Sequence, residues 1–525
     1  MKKGYINAII WQSNATAFAI EDQSIIKVGS DQQIQEYLSP GDEMIDLKGQ
    51  FVLPGFIDSH MHLLELGMYL SNVQLENCKS NNEVKNALLQ GLSKLKEGEW
   101  LIGRGFLESS FDDQKMPTKE MLDTISDTTP IIIVRACGHV LVANSAALQA
   151  AGITKSVENT DGNIDFGSGL VEEIAMRKIY ESAPKPTQEK LIQYFLTGAK
   201  YANQFGITTV GTDDFLSTYQ DYTAVLKALE SLAYRQALTV RINEQCEFNH
   251  LKEFSKFLDD GYTFDVGDDY FRIGPLKLIS DGSLGARTAM LSNAYNDDIS
   301  TKGKMLMDDE TMETFIRLAN QFNMPTIVHA IGDGALDHVL SIFKDTVIEG
   351  NPLHHGIVHC QIMRPDQIDQ VVKQKLACYY QSIFIDHDAQ VLEDRVGQTL
   401  ANTSYPFHTL YQNTLVANGS DAPVEIPDVL KGIQCAVTRK SISSDSSMHA
   451  SECLSVDEAI STFTTKAAEV LFMDHCIGQI KEGYYADIVV LDKDIRTMSP
   501  ETIYQAKVKM TIMDGKVVYK DDTQA

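Results

Sequence analysis

Hydrophobic and polar positions divide the chain into three stretches with different periods. Over the first fifty residues, short apolar runs (YINAIIW, TAFAIED and SIIKVGS) alternate with polar turns, and the last fifty repeat the pattern in YYADIVVLD, VKMTIMDG and KVVYKD. This is the texture of antiparallel strands, and Asp514-Gly515 between two such runs is a strong hairpin signal. In the middle, eight apolar runs predict strands near 53–60, 206–211, 238–243, 273–279, 325–329, 355–359, 377–382 and 415–420. Amphipathic segments lie between most of them. Residues 309–322 place Met312, Phe315, Ile316, Ala319 and Phe322 on one stripe, and residues 365–376 open with Pro365 and align Ile368, Val371, Val372 and Leu376.

Strands that alternate with helices pair in parallel, and eight repeats favour closure. The expected fold is therefore α/β: a (β/α)8 TIM-like barrel over 53–475, with a small β-sandwich domain built from both ends, 1–52 plus 476–525. One interval breaks the repeat. Residues 63 to about 205 are too long for a single crossover and contain their own strand-like run, Ile131 to Val134. They predict a large insertion after barrel strand 1, at about 64–200, returning through a helix with Leu191, Tyr194, Phe195, Ala199 and Ala202 on one face and ending at Gly206.

Composition narrows the function classes. A chain of 525 residues with 43% apolar and 22% charged side chains is ordinary for a soluble globular protein. Its net charge of −27 argues against nucleic acid or an anionic membrane as partner. Eight scattered cysteines without a CxxC pair suggest reduced thiols. The apolar stretch after Met1-Lys2-Lys3 stops at Gln12-Ser13-Asn14, before a leader's core and cleavage site are complete. The expectation is a cytoplasmic protein acting on a small molecule; its oligomeric state is open, a homo-oligomer being one option.

The chemistry lies at the ends of the barrel runs. FIDSHMH carries His60 and His62, IGPLKLI carries Lys277, MPTIVHA carries His329, HHGIVHC carries His359 and TLVANGSDA carries Asp421. The carboxyl ends of parallel barrel strands converge on one mouth, and a period of two puts His60 and His62 on the same side of one strand. Imidazole suits zinc and similar ions, and a carboxylate adds an oxygen ligand. His338, His354, His355, His387, His408 and His475 read as structural histidines.

With GFIDSHMH, LKLISDGSLGARTA, VHAIGDGAL, VHCQ and NGSDAPVE in this order, the chain resembles the amidohydrolase superfamily. Within it the resemblance is to the amidohydrolase-3 branch of metal-dependent hydrolases, which includes N-substituted formamide deformylases. That resemblance implies two divalent ions, zinc being the expectation: His60, His62 and Asp421 on the first, His329 and His359 on the second. It also implies a carbamate on Lys277 bridging the two; an unmodified lysine facing a single-ion site is the other reading. Asp421 would carry a proton between the attacking water and the leaving nitrogen.

By the same resemblance the loop after Lys277 lies beside the substrate, with Asp281 and Arg287 as substrate-side candidates. Arg287 could clamp a carboxylate or pair with an acidic loop. His139, in RACGH, is a candidate catalytic or substrate donor, with a structural role as the alternative. Asp333 reads as a helix N-cap. Relatives commonly carry Arg and Glu just before the last histidine; here Gly356 and Val358 stand there, which bears on substrate polarity. The implied activity is hydrolysis of a carbon–nitrogen bond in an amide or N-acyl compound. An ester, lactone or cyclic amide, or a catalytically silent relative, are the alternatives.

Overall fold

The computed structural model describes residues 1–136, 138–155, 163–217 and 222–522, and the chain divides into two compact units. The first comprises residues 1–63, 199–217 and 225–525, and the second residues 64–198 and 218–224.

The first unit holds a TIM-like barrel of eight parallel strands: β1 (Phe56–Met61), β2 (Ile207–Thr212), β3 (Arg241–Glu247), β4 (Phe271–Ile279), β5 (Thr326–Ala330), β6 (Gly356–His359), β7 (Ala377–Tyr380) and β8 (Val416–Asn418). The ladder runs in chain order from β1 to β8. Its two ends meet just past β8, where the Asp421 amide donates to the His60 carbonyl at 2.8 Å and the His62 amide to the Ala422 carbonyl at 2.8 Å. Gly419 permits this approach, because a Cβ there would stand 2.7 Å from the His60 amide nitrogen. Ile57, Ile327, Val358, Tyr379 and Ala417 pack against Ala467, Ala468 and Val470 of the helix Thr465–Val470.

The two amphipathic segments form helices, Asp309–Gln321 and Pro365–Gln374. Asp333 departs from expectation. The cap of the helix Asp333–Thr346 is Gly332, and the Asp333 carboxylate instead takes the Ser292 amide at 2.9 Å and the Arg364 guanidinium at 2.8 Å. A buried carboxylate with a guanidinium within reach gains more from that pair than from one cap amide.

The ends of the chain build the sandwich domain from one continuous seven-stranded sheet. Its order is Lys516–Lys520, Val508–Met513, Ile488–Leu491, Glu43–Pro54, Lys3–Ile10, Ala17–Glu21, Ser24–Gly29. Glu43–Pro54 is central, parallel to Lys3–Ile10 and antiparallel to Ile488–Leu491. Tyr5, Phe18, Ile25, Val52, Ile488 and Ile512 share its core. Asp514 and Gly515 have positive φ, 56° and 71°, as the expected hairpin turn requires. At the foot of the barrel, Arg241 of β3 is fully buried. It makes a two-pronged pair with Asp487 at 2.7 and 3.0 Å and lies over the Tyr485 ring.

The second unit has its own six-stranded sheet, in which Ile131–Arg135 lies between Leu101–Phe106 and Val140–Ala143. Strand alternation sends Ile131 and Ile133 into one core with Val84 and Leu88. Ile132 and Val134 enter another with Leu148 and Ile179. Among the described residues none of the seven cysteines is in a disulfide, and no helix is long and apolar enough to cross a membrane.

Candidate metal centre

At the carboxyl ends of the barrel strands four imidazoles form a contiguous series. Ring centroids are 5.4 Å apart for His62 and His60, 5.7 Å for His60 and His359, and 4.4 Å for His359 and His329. The Asp421 Oδ1 lies 3.3 Å from His60 Nε2 and 3.2 Å from His62 Nε2. The donor atoms of these three residues all lie within 4.8 Å of one another. Sequence analysis placed all five residues at the barrel mouth, and the structure brings them together there.

Hydrogen bonds on the far side of each ring fix its proton. His62 Nδ1 stands 2.9 Å from the Asp213 carbonyl, which can only accept, so Nδ1 carries hydrogen. His60 Nδ1 is 2.5 Å from Gln245 Oε1, and His359 Nδ1 is 2.8 Å from Gln381 Oε1. His329 is turned the other way, its Nε2 3.1 Å from the Gly282 carbonyl, which leaves Nδ1 bare.

Burial keeps two of the rings, His60 and His359, neutral. Burial, and then the Lys277 cation, push the His60 pKa down to about 4. Burial and the neighbouring His329 hold His359 well below the usual imidazole range. Burial works against ionised Asp421, but the His60 and His62 contacts outweigh it and the carboxyl stays well below its ordinary value. Two imidazole nitrogens and a carboxylate oxygen therefore converge on one point. Two donors sharing one ion at about 2.0–2.1 Å in tetrahedral geometry stand roughly 3.3 Å apart. The spacings here match, and the donor set fits a zinc-like ion.

Backbone strain marks the same residues. His359 and Asp421 sit in the left-handed region at φ 84° and 59°. For residues with a Cβ this costs about 1–3 kcal/mol each and persists where the surroundings hold it. Around Asp421 the support is Asp58, whose carboxylate accepts from the Ser420 amide at 3.0 Å and the Ser420 hydroxyl at 2.6 Å.

Lys277 is buried, and its Nζ lies 3.2 Å from Asp213 Oδ2. Asp213 thus holds His62 through its carbonyl and Lys277 through its carboxylate. The substrate-side candidates have other partners. Arg287 forms a fork with Asp297 at 3.1 and 2.9 Å. Asp281 is fully buried and accepts the amides of Met290, Ile331 and Gly332 at 2.8, 3.1 and 2.9 Å, which pins the loop after β4 to the one after β5. His139 belongs to the second unit, where its ring is more than half exposed and Nδ1 is 3.3 Å from Glu173 Oε2.

Sequence analysis did not single out Asp213, Gln245, Gln381 or Asp58. Asp213 had a usable signal, since it closes an apolar run at a strand end (ITTVGTD) as the metal ligands do.

With this geometry in view, the comparisons are informative. A model of the amidohydrolase family matches residues 43–519. The chain belongs to the amidohydrolase family. It is 33% identical to the YtcJ protein of Bacillus subtilis, over 98% of each chain. It is 22% identical to the N-substituted formamide deformylase of Arthrobacter pascens, over 97% of this chain and 95% of that one. Among solved structures, a metal-dependent hydrolase of Pyrococcus furiosus superposes with a TM-score of 0.80 at 28% identity, over 94% of this chain and 99% of the other. The amidohydrolase fold and the His60–His62–Asp421 cluster together make this chain a metal-dependent hydrolase.

Proposed function

We propose that the protein cleaves the carbon–nitrogen bond of a small amide or N-acyl compound, using two divalent ions, zinc by preference. The observation that carries this reading is the convergence of two imidazole nitrogens on the Asp421 carboxylate. His60, His62 and Asp421 hold the first ion. His329 and His359, with rings 4.4 Å apart, hold the second. As a carbamate Lys277 would supply oxygen ligands to the ions, and Asp213, the ion-pair partner of its ammonium, would then keep its hold on His62 alone.

Ions so held lower the pKa of water and polarise a carbonyl. The protein's own residues do the rest. Asp421, kept ionised at neutral pH, takes the proton that the attacking water loses and delivers it to the leaving nitrogen. His60 and His359, kept neutral by burial, hold position without competing for that proton. The formamide deformylase among the relatives supports an amide carbonyl as the target. The thiols fit a reducing compartment, the cytoplasm.

The test is a screen of zinc- and manganese-loaded protein against formamides, N-acyl amino acids and cyclic amides, each beside its matching ester, with metal counted per chain. Turnover of an amide with about two ions bound is expected. Turnover of esters or lactones alone would move the reading to those substrates, and protein holding no metal after gentle purification would remove it.

A further inference from the structure

Two glutamines stand behind the metal centre, and their amide orientation is decided by chemistry. Gln245 Nε2 donates to the Ser59 carbonyl at 2.8 Å, and Gln381 Nε2 donates to the Tyr379 carbonyl at 3.2 Å. A carbonyl only accepts, so each NH2 group must face it and each Oε1 must face the imidazole. Oε1 also only accepts. His60 and His359 therefore carry their hydrogen on Nδ1 and turn a bare Nε2 toward the centre.

Both side chains are almost wholly buried. The cradle around Gln245 is shaped for it, since a Cβ on Gly211 of the neighbouring strand would stand 2.7 Å from Gln245 Nε2. Each glutamine also crosses between strands, from β3 to the histidine of β1 and from the end of β7 to the histidine of β6.

We infer that Gln245 and Gln381 are positioning residues of the metal centre, each fixing one ligand histidine in the tautomer and ring orientation that presents Nε2 to an ion. The inference rests on the metal-dependent reading above and adds what sets the ligand geometry. Neither amide carries charge, so the proton stays on the ring and each histidine donates as neutral imidazole. Without the amide, the ring is free to rotate and to take the other tautomer, in which Nε2 is protonated and useless as a ligand. Loss of such a partner typically weakens metal binding about 10–100-fold.

The experiment uses the full chain, stripped of metal, and measures the zinc Kd by competition with a chromogenic chelator. Gln245→Leu and Gln381→Leu should each raise the Kd about 10–100-fold. In Gln245→Glu and Gln381→Glu the buried acid, held protonated, donates its OH to the backbone carbonyl that the NH2 group served and keeps an oxygen acceptor at Nδ1, so the Kd should stay within about threefold of wild type. Thermal melting of the metal-free proteins serves as the folding control. A merely structural role would lower the melting point without this Leu-against-Glu contrast. Leucine variants with wild-type affinity, or glutamate variants as weak as the leucine ones, would overturn the inference while the hydrolase reading stands. Wild-type protein that binds no zinc would overturn both.

Discussion

The backbone amide of Asp421 donates to the carbonyl oxygen of His60 across 2.8 Å, so one bond both helps to close the barrel and brings together two side chains of the candidate metal site. Closure and site assembly are one event at this point in the fold. The proposed proton carrier is held by its own backbone, which separates its placement from its charge.

That separation makes Asp421→Asn a clean test. The backbone bond and the shape of the side chain survive, while the ionised oxygen does not. Turnover should fall about 10²–10⁴-fold, the usual scale for losing a general acid–base group, with metal content largely retained. Steady-state rates beside metal analysis check it, and a rate near wild type would remove Asp421 from proton transfer.

Gly419→Ala should act on the same seam from the other side. Its Cβ would press on the His60 amide and the Asp58 carboxylate, at 2.7 and 2.8 Å. Overpacking of this kind costs about 1–3 kcal/mol. Because the displaced strand end carries Asp421, zinc affinity should drop along with the denaturation midpoint.

His355 gives a pH dependence remote from the metal ligands. It is buried, and its Nδ1 accepts the Thr326 amide at 3.0 Å. Burial pushes its pKa down to about 4. A depressed pKa means that the unfolded state binds the proton more readily. The contribution is whole above about pH 6.5 and is lost as pH falls from there to 4, amounting to roughly 3 kcal/mol. His355→Asn, which can still accept at that amide, should be less stable than wild type at pH 8 and should narrow the gap toward pH 4. Urea titrations across that window test it; a gap independent of pH would refute the assignment.

Arg241 and Asp487 join the barrel to the sandwich sheet. Removing one member of a buried pair strands the other charge, which costs about 3–5 kcal/mol. Arg241→Met should therefore lower the unfolding free energy by that order. The pair lies at the barrel's foot, away from the ligand ends, so zinc affinity should stay within a few-fold of wild type.

The fold was legible because barrel strands are apolar and its helices amphipathic, so the two periods show directly. The candidate cluster of His60, His62 and Asp421 was legible because histidine and aspartate at strand ends are chemically distinctive. What escaped notice was polar and ordinary. β3 was expected at 238–243, where Leu238 and Val240 suggest it, yet it runs from Arg241 to Glu247. Its polar members Asn243 and Gln245 interrupt the apolar pattern because this strand faces the site. A glutamine that holds a ligand has no spacing or composition to mark it, and only a contact between distant strands reveals it. Asp333 misled for the opposite reason: its local sequence fits a cap, and Arg364, thirty-one residues on, claims it.

The central position of Glu43–Pro54 in the sandwich sheet has a consequence for biosynthesis. One of its edges is met early, by Lys3–Ile10, but the other waits for Ile488–Leu491. At about 5–20 residues per second on the ribosome, that open strand faces the cell for tens of seconds before its mate emerges. During that interval the half-built sheet keeps an unpaired edge to which another strand could add.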